Sequence, residues 1–236
     1  MCAALAEGAG GMSGSATALV LDFGGVVTKT PFETHSLSEA ALGLAPGTLT
    51  WRGPFDPDGD ALWRDMQAGK LSERDYWLTR TREVGAMLGE NWNSMADFIR
   101  RARGGDPMAC IRPEALEAIG AAKQAGKKLA VLSNELDLFY GADFREALPF
   151  LADFDLIVDA TYTKILKPDP RAYAFITDGL GLAAADCVFV DDQAKNIRGG
   201  EAAGMKTVPF DVRSPAERYR AALALLGIPK LTEARV

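Results

Sequence analysis

Four short stretches of this 236-residue chain carry side chains that can do chemistry. In "ALVLDFGGVVT" an apolar run, Ala18 to Leu21, ends in Asp22, and Gly24 and Gly25 follow. A carboxylate closing a buried strand costs free energy unless a cation or a set of donors meets it. "LSN" places Ser133 and Asn134 after a second apolar run. "KILKPDP" holds Lys167, whose backbone the following proline keeps extended. "VDDQAKN" supplies Asp191 and Asp192, with Asn196 a helical turn later as a brace for the acidic loop. Asp22 and Asp191 can approach each other only if a proton or a cation offsets their repulsion. Hard oxygen donors from few carboxylates, with water completing the shell, suit Mg²⁺. Ser133 or Asn134, together with Lys167, offers donors and one positive charge to an anion. Gly24 and Gly25 let backbone N–H groups approach it without a Cβ clash. A phosphoryl group bridging Mg²⁺ and Lys167 would leave Asp22 placed as a nucleophile, forming an aspartyl-phosphate that water hydrolyses.

The elements that must position these groups are legible as apolar runs of strand length at Ala18–Leu21, Leu129–Leu132, Leu156–Val158, Val188–Val190 and Thr207–Phe210. Helical patterns separate them in the second half: 113–124, 170–178 and 194–203, with proline opening the first two and glycine just past the end of all three. This alternation predicts an α/β fold, a Rossmann-like parallel sheet covered on both faces. Ligands of such sheets bind beyond the carboxyl ends of the strands, where all four stretches fall. Between the first and second strand the pattern is helical only. "SLSEAALGL" reads as a capping box from Ser36 to Glu39, and "LSERDYWLTRTREVGAML" starts at Ser72. The predicted organisation is a leader over 1–16, a core over 17–29 and 111–236, and an all-helical insertion over 30–110. The small-residue leader reads as flexible and lacks the pattern of a signal peptide.

A net charge of −6 argues against a nucleic-acid-binding surface. No apolar run is long enough to cross a bilayer. Three widely spaced cysteines predict a reduced, cytoplasmic protein without a disulfide framework. The single histidine, His35, excludes multi-histidine metal sites.

The set "DFGGV", "LSN", "KP" and "VDDQAKN" resembles the haloacid dehalogenase (HAD) superfamily over roughly Thr17 to Phe210. The resemblance implies Asp22 as nucleophile, with Mg²⁺ held by Asp22, the Gly24 carbonyl, Asp191 and Asp192. It implies a phosphate held by Ser133 and Lys167 with Asn134 alongside, and a helical C1-type cap formed by the insertion. Most of the superfamily's phosphatases carry a second Asp two residues after the nucleophile, and here that residue is Gly24. Positioned acid–base catalysis contributes ~10²–10⁴-fold, so the difference matters.

Three readings follow. The chain resembles Asp-x-Gly variants such as sugar-phosphate phosphatases and the phosphatase-like N-terminal domains of epoxide hydrolases, which suits a good leaving group. Alternatively another residue supplies the proton, with His35 at the cap entrance and Glu135 after the Ser-Asn pair as candidates. Or the enzyme is a 2-haloacid dehalogenase, a reading the Asp191-Asp192 pair opposes, because serine and asparagine typically stand there in that group. A fold-retaining binding or regulatory protein is the remaining alternative. The expected partner is a small phosphate ester, and the chain a monomer or homodimer. The tryptophans of the insertion read mostly as core, with Trp51 and Arg52 as candidates to face substrate. Arg100 to Arg103 read as a solvated helix end.

Overall fold

The computed structural model describes residues 14–104 and 106–229. Five parallel strands form one sheet: β1 (Ala18–Leu21), β2 (Lys128–Ser133), β3 (Leu156–Asp159), β4 (Cys187–Asp191) and β5 (Lys206–Pro209), in the order β3-β2-β1-β4-β5. All four residues of β1 are fully buried, as a central strand with both faces covered requires. Leu21 lies level with Val131 of β2 and Val190 of β4. Asp22 therefore emerges between the ends of its two neighbours, at the point where the strand order reverses direction. That switch point is where open α/β sheets build their ligand sites.

The helices follow the chain as α1 (His35–Leu42), α2 (Ala61–Gln67), α3 (Glu73–Met87), α4 (Met95–Ala102), α5 (Pro113–Gln124), α6 (Leu136–Tyr140), α7 (Ala142–Glu146), α8 (Ala160–Thr163), α9 (Pro170–Leu180), α10 (Ala194–Ala202) and α11 (Pro215–Leu225). One face of the sheet packs on α5 and α11, with Leu19 and Val131 pointing that way, and the same apolar cluster continues into the helical insertion. The other, with Val20 and Phe189, packs on α9 and α10. The first four helices lie between β1 and β2. The chain leaves the sheet at Thr28 and returns at Ile111, where the two crossings meet in an isolated antiparallel bridge.

Local chemistry explains most boundaries. Ser72 caps α3, accepting from the Asp75 N–H, and a capping box forms at Ser94 and Asp97 on α4. The capping box expected at Ser36 and Glu39 does not form. Thr34 precedes the helix instead, and Glu39 turns inward, accepting from the backbone N–H groups of Gly47 and Leu49. That buried carboxylate ties down the irregular segment after α1, so local capping loses to a tertiary contact. Arg100 and Arg103 are not simply a solvated helix end, because both pair with Asp143 at the start of α7. Most of the expected leader falls outside the described residues. Its last member, Ala16, is fully buried and donates its N–H to the Leu225 carbonyl, so that position belongs to the fold.

Candidate active site

A cavity of about 1050 Å³ lies between the carboxyl ends of the strands and the insertion. Asp22, Gly24, Gly25, Ser133, Asn134, Glu135, Lys167 and Asp192 all line it. Its far wall is aromatic. Phe32, Trp63 and Trp77 come from the insertion, and Phe139 meets Trp77 from the core side with ring centres 5.7 Å apart.

Lys167 is the centre of the polar floor. Its side chain is 1% exposed, and its Nζ lies 2.9 Å from Asp22 and 2.6 Å from Asp191. Burial works against its charge, but the two carboxylates outweigh that and hold it well above the usual lysine range. Asn134 fixes its backbone on both sides, accepting from the Lys167 N–H at 2.7 Å and donating to its carbonyl at 3.2 Å. The asparagine amide thus positions Lys167, while Asn134 also lines the cavity. Lys164 bonds the Thr161 carbonyl and lies outside the cavity lining.

Asp22 accepts from the Phe23 N–H at 2.7 Å. Burial lifts its carboxyl, Lys167 lowers it, and Asp191 lifts it again, leaving it at about 6. Asp191 is fully buried beneath the floor. It accepts from the Gln193 N–H, from Asn196 on both oxygens, and from Lys167. Asp192 faces the cavity and, among the described residues, accepts no hydrogen bond. Burial and the neighbouring Asp191, Asp22 and Glu73 push its carboxyl well up, against Lys167. Oxygens of Asp22, Asp191 and Asp192 lie within 4.8 Å of one another. Three carboxylates cluster around one buried lysine, and hard oxygen donors of this kind fit a small divalent cation.

The remaining positions are sorted by their partners. The Ser133 hydroxyl lines the cavity without a partner among the described residues. Gly25 is not a free anion cradle: its N–H donates to Thr28 Oγ1 at 3.3 Å, and its carbonyl accepts twice from Arg112. What the position demands is shape. Its φ is +77°, and an added Cβ would stand 2.7 Å from Asp192 Oδ2. Gly25→Ala is therefore expected to displace Asp192 and lower activity about tenfold or more, at a backbone cost of about 1 kcal/mol. Steady-state kinetics against a cation titration checks this, and a rise in the cation concentration needed is the signature.

Glu135 lines the cavity, but its carboxylate pairs with Arg74 of α3 at 2.6 Å and ties the insertion to the sheet edge. His35 does not reach the cavity. Its ring packs 4.4 Å from Trp51 in the core of the insertion, its Nε2 is buried without a partner, and burial drives it down to about 4. A neutral, walled-in imidazole cannot serve as the missing acid, so that expectation is corrected. Trp51 is buried with it, and neither Trp51 nor Arg52 lines the cavity.

Glu73 and Tyr140 are among the lining residues that carry no signal in the sequence. Glu73 opens α3, and burial with Asp22, Asp191 and Glu135, against Lys195, lifts its carboxyl to about 7. Tyr140 ends α6 and is described below. Neither sits in a motif, and nothing in a helix's periodicity says which of its residues meets a strand end from another part of the chain.

Comparison with known proteins fits this floor. A family model described as haloacid dehalogenase-like hydrolase matches residues 16–204. The chain belongs to the haloacid dehalogenase-like hydrolases. A plasmid-encoded CbbY protein of Cupriavidus necator is 34% identical, with 90% of this chain and 86% of the relative covered. (S)-2-haloacid dehalogenase 1 of a Pseudomonas species is also 34% identical, over 67% and 73%. A Mycobacterium tuberculosis phosphatase is 31% identical over 62% of this chain; the chain spans 64% of that relative, and 11% of another. A solved HAD-hydrolase of Bacillus subtilis, bound to magnesium, superposes with a TM-score of 0.66 over 91% of this chain and all of that one. At 16% identity it shows the fold alone. This HAD-like chain has the family's α/β core. Among the described residues, no helix is long and apolar enough to cross a membrane.

Proposed function

We propose that this hydrolase is a Mg²⁺-dependent phosphatase of small phosphate monoesters, working through an aspartyl-phosphate on Asp22. The observation that carries this reading is the convergence of the Asp22, Asp191 and Asp192 carboxyl groups around a single buried lysine beside a cavity. A carboxylate substrate in a metal-free site would be repelled by these three carboxyl groups, and the buried Lys167 is already paired with two of them. Asp22, Asp192 and the Gly24 carbonyl would hold the cation. Asp191 could join them only by releasing Asn196 or Lys167. When bound, Mg²⁺ supplies charge neutralisation for the transferring phosphoryl oxygens.

The chain's own residues do the rest. Lys167 and the free Ser133 hydroxyl bind and orient the phosphoryl oxygens, and Asp22 attacks phosphorus as the ester P–O bond breaks. Water then cleaves the acyl phosphate and restores the carboxylate. The insertion over 30–110 acts as a C1-type cap, its aromatic wall closing over the ester group and limiting bulk water, with Arg74–Glu135 as a contact across the gap. Gly24 makes this an Asp-x-Gly variant, and the protein lacks a carboxylic acid at that position.

The test is turnover of p-nitrophenyl phosphate and a panel of phosphate monoesters, with Mg²⁺ and with EDTA. The expected result is hydrolysis that falls to background in EDTA and returns with Mg²⁺. Chloride release from 2-chloropropionate in EDTA, with every phosphate ester inert, would overturn the reading in favour of dehalogenation.

A further inference from the structure

The reaction just proposed lacks a group to meet the leaving oxygen, and the structure offers a specific replacement. A Cβ built on Gly24 would have a single neighbour within 4 Å, the Tyr140 hydroxyl at 3.5 Å. The side-chain space that a carboxylate at residue 24 would fill therefore opens onto that phenol. Tyr140 is 6% exposed and lines the cavity with Asp22. Its ring is held between Phe23, Phe139 and Phe144, the last stacked at 4.8 Å, so the hydroxyl has little freedom to wander. Behind it Thr28 Oγ1 lies 2.8 Å away and accepts from the Gly25 N–H. Thr28 Oγ1 has its own hydrogen to give to Tyr140, an arrangement that leaves the phenolic O–H for the cavity that Tyr140 lines.

Resting on the phosphatase reading, we propose that Tyr140, oriented by Thr28, donates a hydrogen bond to the ester oxygen that leaves phosphorus. It takes the place of the carboxylic acid absent at Gly24. Burial holds the phenol far above its ordinary range, so it stays protonated throughout. The electron pair of the breaking P–O bond goes to the leaving oxygen, the Asp22–P bond forms, and the hydrogen bond carries part of the new charge. Water supplies the proton that completes the alcohol. Such a donor favours esters whose leaving oxygen already tolerates negative charge, and its removal weighs most on those that do not.

The experiment compares p-nitrophenyl phosphate with butyl phosphate, using the full chain with Mg²⁺. Loss of one donor aimed at developing charge costs about 10²-fold. Tyr140→Phe is expected to lower kcat/KM for butyl phosphate by about that factor, and at least tenfold more than for p-nitrophenyl phosphate. Gly24→Asp in the Tyr140→Phe background is expected to recover butyl phosphate turnover. Thr28→Val, which keeps the phenol but removes its orienting hydroxyl, is expected to give a smaller loss with the same selectivity, and it carries the test if Tyr140→Phe does not fold. Equal losses on both esters would overturn the proposal, since a purely structural tyrosine would behave that way. So would a selective loss in Glu73→Gln with none in Tyr140→Phe, which would move the role to the insertion. Wild-type protein that hydrolyses neither ester would sink the phosphatase reading itself, a failure distinct from either of these.

Discussion

Asp22→Asn is expected to abolish turnover while making the cation-free protein more stable. An amide oxygen is too weak a nucleophile to open a phosphate ester, so kcat should fall by about 10⁴-fold or more. The stability effect has the opposite sign because the folded state disfavours the Asp22 charge. Its carboxyl sits at about 6 in the fold against 3.8 for an unburied aspartate. Between those values the folded chain keeps a proton that the unfolded chain releases, so stability falls as pH rises from about 4 to 6 and levels off above. The asparagine variant lacks that step. At neutral pH it gains on the order of 2–3 kcal/mol, reduced by whatever Lys167 loses with its partner. Thermal unfolding against pH in EDTA reads the step, and the same samples assayed with Mg²⁺ read the turnover. An asparagine variant that still hydrolyses phosphate esters at the wild-type rate would remove Asp22 from the chemistry altogether.

How much of this was legible without coordinates follows from what each residue depends on. The sheet was readable because buried parallel strands must be short apolar runs, and their ends could be marked to within a residue or two. Asp22 and Asp191 stood out because a carboxylate at such an end needs a reason, and strand order brings the two ends side by side. The helical insertion is expected from the sequence where strand patterns stop. What could not be read was the use of each polar group once assembled. Asn134 sits beside Ser133 in sequence, and both ends of its amide hold the Lys167 backbone. Gly25 was read for its N–H, but its φ and the lack of room beside Asp192 define it. His35 was read as an entrance residue because it precedes a helix. In the fold that helix turns it toward Trp51. Tyr140 and Glu73 carry no local signal, since what matters in them is a contact made across the chain. The motifs thus announce which charges must meet, and tertiary packing decides which donors are left free.

Lys167→Met tests the other half of the charge arrangement. Lys167 alone among the described residues places a cation against both Asp22 and Asp191, and it is buried at 1% exposure. Methionine fills much of the same volume, so the change removes charge with little loss of packing. It leaves Asp191, 0% exposed, with Asn196 and a backbone N–H but no counter-charge. Stranding one member of a buried pair costs about 3–5 kcal/mol, which for a chain of this size lowers Tm by roughly 10 °C. Turnover should disappear as well, since Lys167 is the buried cation placed beside the nucleophile to meet the phosphoryl oxygens. The two losses have different causes, and Lys167→Met with Asp191→Asn separates them. Asparagine keeps the shape and relieves the stranded charge, so the double variant should regain most of the lost stability and none of the activity. The coupling between the two substitutions then measures the pair, because neither site need be disturbed elsewhere. A single Lys167→Met variant as stable and active as the wild type would mean that the floor tolerates its carboxylates without a lysine, and that the convergence of carboxyl groups on which the phosphatase reading rests has no chemical consequence.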